Sequence, residues 1–271
     1  MKKPDRHDLY EASVQGVDYD LDFFERVYRR HHGHTFRVLR EDFCGTAALA
    51  AHWVLRGPDN RAWGVDLDPG VLQWARTHRV PRLREAGRRL TLVHGDVRHA
   101  RVPRADLTCA MNFSYWVFHE RPDLLAYLRG ARRGLRPGGL LVLNVFGGSE
   151  AMGTLVEKRR IAPSRSVTGD PVPGFLYEWE QARFDPLDHR LLCHIHFRLR
   201  NGTAMRRAFT YDWRMWTVPE LRDAIAEAGF RSCDVYVEGW NDKLNRPDEV
   251  YRLRRRFENQ EGWLAMVVAG A

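Results

Sequence analysis

Short apolar runs alternate with helical patterns from Phe36 onward. They predict five strands, at residues 36–39, 61–66, 90–93, 105–112 and 140–146. Between them, apolar residues at helical spacing predict helices at about 46–55, 69–78 and 122–135. Because the runs are short, continuous and separated by helices, we predict an α/β fold whose sheet is mostly parallel and covered by helices on both faces.

The pattern changes after the fifth strand. Residues 150–172 contain few apolar runs and several Pro, Gly and Ser residues, which predicts an irregular excursion. Segments 175–184, 190–199 and 205–213 then predict a three-stranded antiparallel insertion, since Asn201-Gly202 between alternating segments is a hairpin signal. A helix at 217–228 and strands at 233–237 and 263–269 resume the first pattern and bring the main sheet to seven strands.

Composition excludes several classes of protein. The 271 residues contain no apolar run of membrane-spanning length, and no apolar segment follows the charged N-terminus, so neither a membrane span nor a secretory signal is expected. The four cysteines are far apart and lack CxxC spacing, which predicts no metal site and no disulfide framework. We therefore expect a cytoplasmic protein.

The net charge of +8 indicates attraction to polyanions or to acidic small substrates, or else a proteome that is rich in arginine throughout, which the sequence favours. The arginines are scattered along the chain instead of forming one basic arm, which argues against nucleic acid as the partner.

Polar side chains end consecutive predicted strands. Gly45 follows the first strand and permits a close approach of a ligand to the backbone. Asp66 ends the second strand, 21 residues later, where a carboxylate can accept hydrogen bonds from ribose hydroxyls. Asp96 follows the third strand, where it can accept from an adenine amine, and Asn112 ends the fourth. No basic phosphate-binding residue accompanies them, which predicts a nucleoside ligand without a pyrophosphate.

These segments resemble the class I S-adenosylmethionine-dependent methyltransferases over nearly the whole chain. The resemblance rests on the motifs EDFCGTAAL, GVDLDPGVLQWA, HGDVR, ADLTCAMNFSYW and LRPGGLLVLNVFGG. It implies a Rossmann-like sheet of seven strands and S-adenosylmethionine as cofactor. Phe43 and Ala47 depart from the family pattern, because glycine is common at both positions, whereas Gly45 is retained.

The resemblance also implies roles for individual residues. Glu41 would hold the methionine amino end, Asp66 the ribose, and Leu67 would pack on the adenine. The other implied cofactor contacts are Phe43 and Gly45 in the turn, Asp96 and Val97 at the adenine edge, Asn112 and Phe113 on the methionyl side, and Tyr10 on an N-terminal lid with Tyr19 behind it.

The division into domains follows from the same comparison. Residues 1–35 would form a helical lid, residues 36–149 and 214–271 the methyltransferase core, and residues 150–213 an antiparallel substrate cover. Related sugar N-methyltransferases and glycine-type N-methyltransferases carry such a cover at this place.

Four residues are candidates for the chemistry. Tyr115 lies in the motif after the fourth strand, and His119, which follows it, is a candidate general base. His196 and Tyr211 lie on insertion strands, where we expect a face with two histidines and faces with Tyr and Trp to meet over the cofactor. Solvated sheet faces with ordinary aromatic pairing are the alternative.

The sequence thus predicts methyl transfer to an amine or hydroxyl of a small molecule such as a sugar or natural-product intermediate. A nucleic-acid methyltransferase and a non-transferring S-adenosylmethionine-binding protein are alternatives. The sequence argues against a nucleic-acid methyltransferase, because NFSYW stands in place of an Asn/Asp-Pro-Pro-Tyr/Phe motif. Whether the chain forms a homodimer is left open.

Overall fold

The computed structural model describes residues 4–241, 243 and 246–271. Residues 1–3 of the predicted lid lie outside this range. The strands are β1 Val38–Asp42, β2 Arg61–Asp66, β3 Leu90–His94, β4 Ala105–Ala110, β5 Leu135–Gly147, β6 Leu155–Ile161, β7 Ser164–Arg165, β8 Pro171–Val172, β9 Phe175–Phe184, β10 Arg190–Leu199, β11 Ala204–Arg214, β12 Ser232–Asn241, β13 Arg246–Leu253 and β14 Trp263–Gly270.

The described residues also form six α-helices. They are α1 Arg6–Val14, α2 Val17–His32, α3 Ala48–Leu55, α4 Pro69–Trp74, α5 Arg121–Arg133 and α6 Val218–Glu227. A π-helical segment, Ala75–Arg79, continues α4, and 3-10 segments occur at Val80–Arg89, Ser114–Val117 and Glu150–Met152.

The main sheet has the strand order β13-β12-β14-β5-β4-β1-β2-β3. Strands β1 to β5 pair in parallel, and β14 runs antiparallel to β5 and β12. The α/β class and the mostly parallel sheet are thereby confirmed. The eighth strand, β13, adds an antiparallel edge that the sequence pattern did not predict.

Helices bury both faces of this sheet. One apolar cluster joins α5 and α6 to the sheet, and a second joins α2 and α3 to the opposite face. The carboxyl ends of β1, β2 and β4 meet at one edge, because these strands are parallel neighbours, and ligands of open α/β sheets bind at this edge.

The insertion forms a separate four-stranded sheet of order β11-β10-β9-β6. The three predicted strands occur as β9, β10 and β11. The prediction of an irregular excursion at 150–172 is wrong in part, because β6 lies within it and pairs with β9. No helix in the described part of the chain combines the length and apolar character needed to cross a membrane.

Candidate functional site

The turn after β1 has a backbone conformation that usually requires glycine. Phe43, Gly45 and Ala47 all have positive φ angles, of 57°, 52° and 56°. The two departures from the family pattern therefore preserve the left-handed conformation with side chains in place, at a cost of about 1 kcal/mol each. Space remains above the turn, because a Cβ built on Gly45 would meet nothing within 4 Å.

Asp66 is connected directly to this turn. Its Oδ2 accepts a hydrogen bond from the Gly45 N–H at 2.7 Å, and its Oδ1 accepts from the Asp68 N–H at 2.9 Å. A carboxylate has about four lone-pair positions, so two remain for the hydroxyls of a ribose. The neighbouring Leu67 is 67% exposed, and a Cβ on Gly95 would also meet open space, which leaves room for a flat base.

Glu41 lies beneath the turn and is buried. Its Oε2 accepts a hydrogen bond from the Ala50 N–H at 2.9 Å, in the first turn of α3. Burial raises the pKa of Glu41 to about 8, with Arg79 opposing the shift and Asp66 and Asp20 adding to it. A cationic ligand beside this carboxyl would relieve the cost of ionising it.

Asp96 and Val97 are already engaged by arginines. The guanidinium of Arg98 contacts both oxygens of Asp96, at 2.6 to 3.1 Å, and its hydrogen bonds lower the pKa of this carboxyl. Arg40 donates to the Val97 carbonyl oxygen at 2.9 Å. Reading of an adenine edge by Asp96 therefore stays a prediction, and the acid would share its oxygens with Arg98.

Asn112 and Phe113 form a second left-handed turn, after β4. Their φ angles are 54° and 57°, and the Phe113 N–H donates to the Asn144 Oδ1 at 2.9 Å. The Phe113 ring packs against Phe146 and faces Trp213 of β11. This turn thus brings the main sheet and the insertion together beside the open space.

The helix α1 bridges the same space. The Glu11 carboxylate accepts from the Thr46 hydroxyl and pairs with Arg79, and the Tyr10 ring contacts Phe209 of β11 at 4.8 Å between centroids. The hydroxyls of Tyr10 and Tyr211 face each other. The predicted contribution of Tyr10 is therefore geometrically consistent, whereas Glu11 and Arg79 carry no sequence signal and were missed.

Tyr19 does not lie behind Tyr10. Its ring packs against Tyr251 of β13 with a centroid distance of 5.4 Å, and its hydroxyl is 3.5 Å from Glu238. The reason is that α2 crosses to the far edge of the sheet, where Phe23 also contacts Tyr251.

Tyr115 is not placed for chemistry. Its side chain is fully buried, and its hydroxyl donates to the Asn144 carbonyl oxygen at 3.0 Å. Burial also raises the pKa of this phenol far above its usual value. The Ser114–Val117 segment turns Tyr115 into the core, so the expectation of a catalytic tyrosine here is corrected.

His196 lies on the wrong face of the insertion. In the β10–β11 register Cys193 pairs with Tyr211, so His196 faces away from Tyr211 and Trp213. Its Nδ1 accepts from the Arg207 N–H at 3.1 Å, and its Nε2 donates to Glu180 at 2.9 Å. Both ring nitrogens are occupied, so the expected meeting of histidine and aromatic faces does not occur.

His119 and Tyr211 are the two remaining candidates, and both lie at β11. The His119 Nε2 lies 2.8 Å from the Asp212 carbonyl oxygen, which can only accept, so Nε2 is the donor in this contact and Nδ1 is the nitrogen that can act as an acceptor. Tyr211 stacks on Trp213 at 4.4 Å, and burial raises its pKa well above the usual value. Tyr211 is therefore a hydrogen-bond donor and not a base.

The described residues contain no group of three or more His, Cys, Asp or Glu side chains that could hold a metal ion. The donor set instead suits a nucleoside with a cationic amino acid tail, because carboxylates lie at β1 and β2 and aromatic rings lie between the two sheets. The fold is Rossmann-like, and open space for such a ligand remains at its first turn.

Comparisons with known proteins agree with this class. Residues 40–139 match the family model described as a methyltransferase domain. No curated protein matches the chain. The family match places a methyltransferase domain at residues 40–139, in agreement with the enzyme class predicted from the sequence, and the fold agrees with the resemblance to class I S-adenosylmethionine-dependent methyltransferases.

Solved structures share the fold over the full length. DesVI from Streptomyces venezuelae is 18% identical, with a TM-score of 0.68 and 99% of each chain covered. CalS10, an amino pentose methyltransferase from Micromonospora echinaspora, is 18% identical with a TM-score of 0.67, covering 100% of this chain and 98% of that one. A Clostridium acetobutylicum methyltransferase is 16% identical, with a TM-score of 0.67 and 97% of each chain covered.

Proposed function

We propose that this enzyme methylates an amine or hydroxyl of a small molecule, with a sugar or natural-product intermediate as the acceptor. One observation carries the proposal: α1 contacts both the turn after β1, through Glu11, and the insertion sheet, through Tyr10. The crevice between core and insertion is therefore covered, and such an enclosed space suits a small acceptor.

The geometry of the first turn supports the cofactor roles that the resemblance implies. Asp66 would bind the ribose hydroxyls through its two remaining lone-pair positions, and Leu67 would cover one face of the adenine. Glu41 would balance the charge of the ammonium group. Asn112 and Phe113 would line the methionyl side, where aromatic faces favour a cation.

The bound cofactor supplies an electrophilic methyl group on a sulfonium. The chain contributes alignment and the exclusion of water through the rings of Phe113, Tyr211 and Trp213. For a hydroxyl acceptor, the Nδ1 of His119 would remove the proton. An amine acceptor that binds in its neutral form needs no base in the transfer step.

Three of the similar structures are informative about which acceptor to test first. CalS10 is described as an amino pentose methyltransferase, KedS8 as a sugar N-methyltransferase and MtfA as a glycopeptide N-methyltransferase. Identities of 15% to 18% carry the fold alone, so an amino sugar is a proposal for this chain and rests on its enclosed aromatic crevice.

The test is release of S-adenosylhomocysteine from purified protein with amino sugars, free and attached to larger carriers, and with the matching hydroxyl sugars. His119→Gln should lower the rate on a hydroxyl acceptor by about 10²-fold or more. His196→Gln is the matched control and should leave the rate within about twofold, since its ring lies on the other face. Methyl incorporation into RNA, with none into the small acceptors, would contradict the proposal.

A further inference from the structure

A second cavity lies next to the aromatic crevice. It has a volume of about 470 Å³ and lies between the end of β5, the start of α6 and residues 254–259. Phe146 lines it, and the same ring lies 4.8 Å from Phe113 and 4.8 Å from Trp116. The cavity and the proposed acceptor site therefore share a wall.

Two glycines allow this cavity to form. A methyl group on Gly147 would overlap the Trp263 ring, and one on Gly148, whose φ is 127°, would overlap the Glu261 backbone. The segment that follows β5 is joined here to the segment that precedes β14, because the Ser149 N–H donates to the Gln260 carbonyl oxygen at 3.0 Å. At its other end the segment is held by the Arg254 N–H, which donates to Val235 at 2.9 Å. Residues 255–259 are thereby held as an arch over an apolar floor.

The charge of the lining has one sign. Among the described residues that line the cavity, every ionisable side chain is an arginine: Arg222, Arg254, Arg255 and Arg256. The last three are exposed, and within the described chain none of them forms an ion pair. On α6, Glu220 is held by the Thr217 N–H and hydroxyl, both at 2.8 Å, while Asp223 directly follows Arg222 in the sequence.

None of the arginines that line this cavity occurs in an ion pair of the described residues, whereas several arginines elsewhere contact carboxylates. Arg40, Arg56, Arg79 and Arg98 all contact carboxylates. Guanidinium groups bind phosphate and carboxylate through parallel hydrogen bonds, and these bonds are stronger next to an apolar, poorly hydrated surface. Val145, Val237 and Phe257 provide that surface.

We propose that this cavity binds an oxyanion, a phosphate or a carboxylate, together with an apolar or aromatic group that carries it. The inference rests on the proposed function, since it gives the acceptor an anionic part that lies beyond Phe146 while its amine or hydroxyl faces the cofactor. The apolar part packs on Phe257 and the valines, and the anion contacts Arg254 to Arg256.

The test uses the full chain saturated with S-adenosylhomocysteine and titrated calorimetrically with three probes: phenyl phosphate, benzoate and inorganic pyrophosphate. We expect phenyl phosphate or benzoate to bind, and the tighter of the two identifies the anion. R254Q/R255Q/R256Q should weaken binding about tenfold or more. The matched control R82Q/R101Q/R104Q removes three exposed arginines distant in sequence from the cavity and should change affinity less than twofold.

A second variant tests the apolar part of the cavity separately from its arginines. Phe257→Ala, on a ring that is 40% exposed, should weaken phenyl phosphate but leave pyrophosphate unchanged. Failure of the wild-type protein to bind any probe, or equal binding by the triple variant, would overturn the inference. So would an effect of the triple variant on RNA binding alone.

Cofactor affinity measured on the same samples distinguishes failure of this inference from failure of the proposed function. Retained binding of S-adenosylhomocysteine with no probe binding would remove this inference and leave the proposed function standing. Loss of cofactor binding by the wild-type protein would remove the proposed function itself.

Discussion

The carboxylate of Glu11 on α1 accepts a hydrogen bond from the hydroxyl of Thr46, in the turn that follows β1. The same carboxylate pairs with Arg79, whose Nε donates to the Thr46 carbonyl oxygen at 2.7 Å. Arg79 is almost fully buried, with 4% of its side chain exposed. The N-terminal helix is therefore attached to the proposed cofactor site through a shielded, charge-assisted contact.

Removing this contact should accelerate release of the cofactor. In Glu11→Ala we expect the dissociation rate of S-adenosylmethionine to rise about tenfold, because a shielded hydrogen bond to a charged group contributes roughly 1.5–3 kcal/mol. Stopped-flow displacement measures this rate. Glu85→Ala, at an exposed position that pairs with Arg88 on the surface, is the control and should behave as wild type. Equal rates in both variants would show that α1 does not hold the cofactor.

Cofactor affinity should depend on pH through Glu41. Its folded pKa of about 8 lies above the ordinary 4.5, so the free protein holds a proton there across this interval. An ammonium group pairs only with the ionised form, so affinity should rise roughly tenfold between pH 6 and 8, with proton release on binding. Glu41→Gln should remove the pH dependence. Affinity that falls over this range would contradict the role.

The same raised pKa affects the stability of the protein. Between pH 4.5 and 8 the folded state binds more protons at Glu41 than the unfolded state does, so the free energy of unfolding should decrease as pH rises. Chemical denaturation of wild type and Glu41→Gln across this range measures the free energy of unfolding at each pH. It should decrease more steeply with rising pH in the wild type than in the variant.

Ala47 should tolerate glycine better than an ordinary helical alanine. Its φ of 56° is left-handed, so Ala47→Gly relieves strain of about 1 kcal/mol and should leave stability unchanged or improved. Ala51→Gly, one turn later inside α3 and equally buried, should cost about 1 kcal/mol. Urea denaturation measures the free energy of unfolding of both variants. An equal loss in the two variants would argue against the left-handed turn.

Gly147 should be far less tolerant than Gly262. Gly147→Ala forces its methyl group into the Trp263 ring and should reduce the free energy of unfolding by about 2 kcal/mol. A Cβ on Gly262, one residue before that tryptophan, would meet nothing within 4 Å, so Gly262→Ala should cost little. Thermal unfolding curves provide the comparison, and similar melting temperatures would contradict the contact.

Much of the fold can be predicted from the sequence, because the core strands are short apolar runs. The bounds 61–66 of β2 and 175–184 of β9 agree with the pattern. Strand β1, however, runs over Val38–Asp42 and not 36–39, because Arg40 and Asp42 are buried as an ion pair of 2.7 Å. A polar strand end stabilised by its own ion pair gives no apolar signal.

Other features depend on contacts that no local pattern encodes. Strand β6 has an exposed charged centre, which hides it from periodicity. The face of His196 is set by the register between strands, and the Glu11–Thr46 contact joins residues 35 positions apart. Asp66 ends β2 as the pattern predicts, whereas Asn112 lies two residues beyond the end of β4, in a left-handed turn. Parallel strands nevertheless bring both residues to the same edge of the sheet.

The central claim is that the turn after β1 and the end of β2 bind S-adenosylmethionine. Calorimetric titration of Asp66→Ala tests it most directly, with Asp59→Ala, an exposed acid before β2, as the control. We predict that Asp66→Ala weakens S-adenosylmethionine binding about tenfold or more, since the ribose hydroxyls lose a charged acceptor for their hydrogen bonds, and that the variant retains its unfolding transition. Unchanged affinity in a folded Asp66→Ala protein would contradict the account.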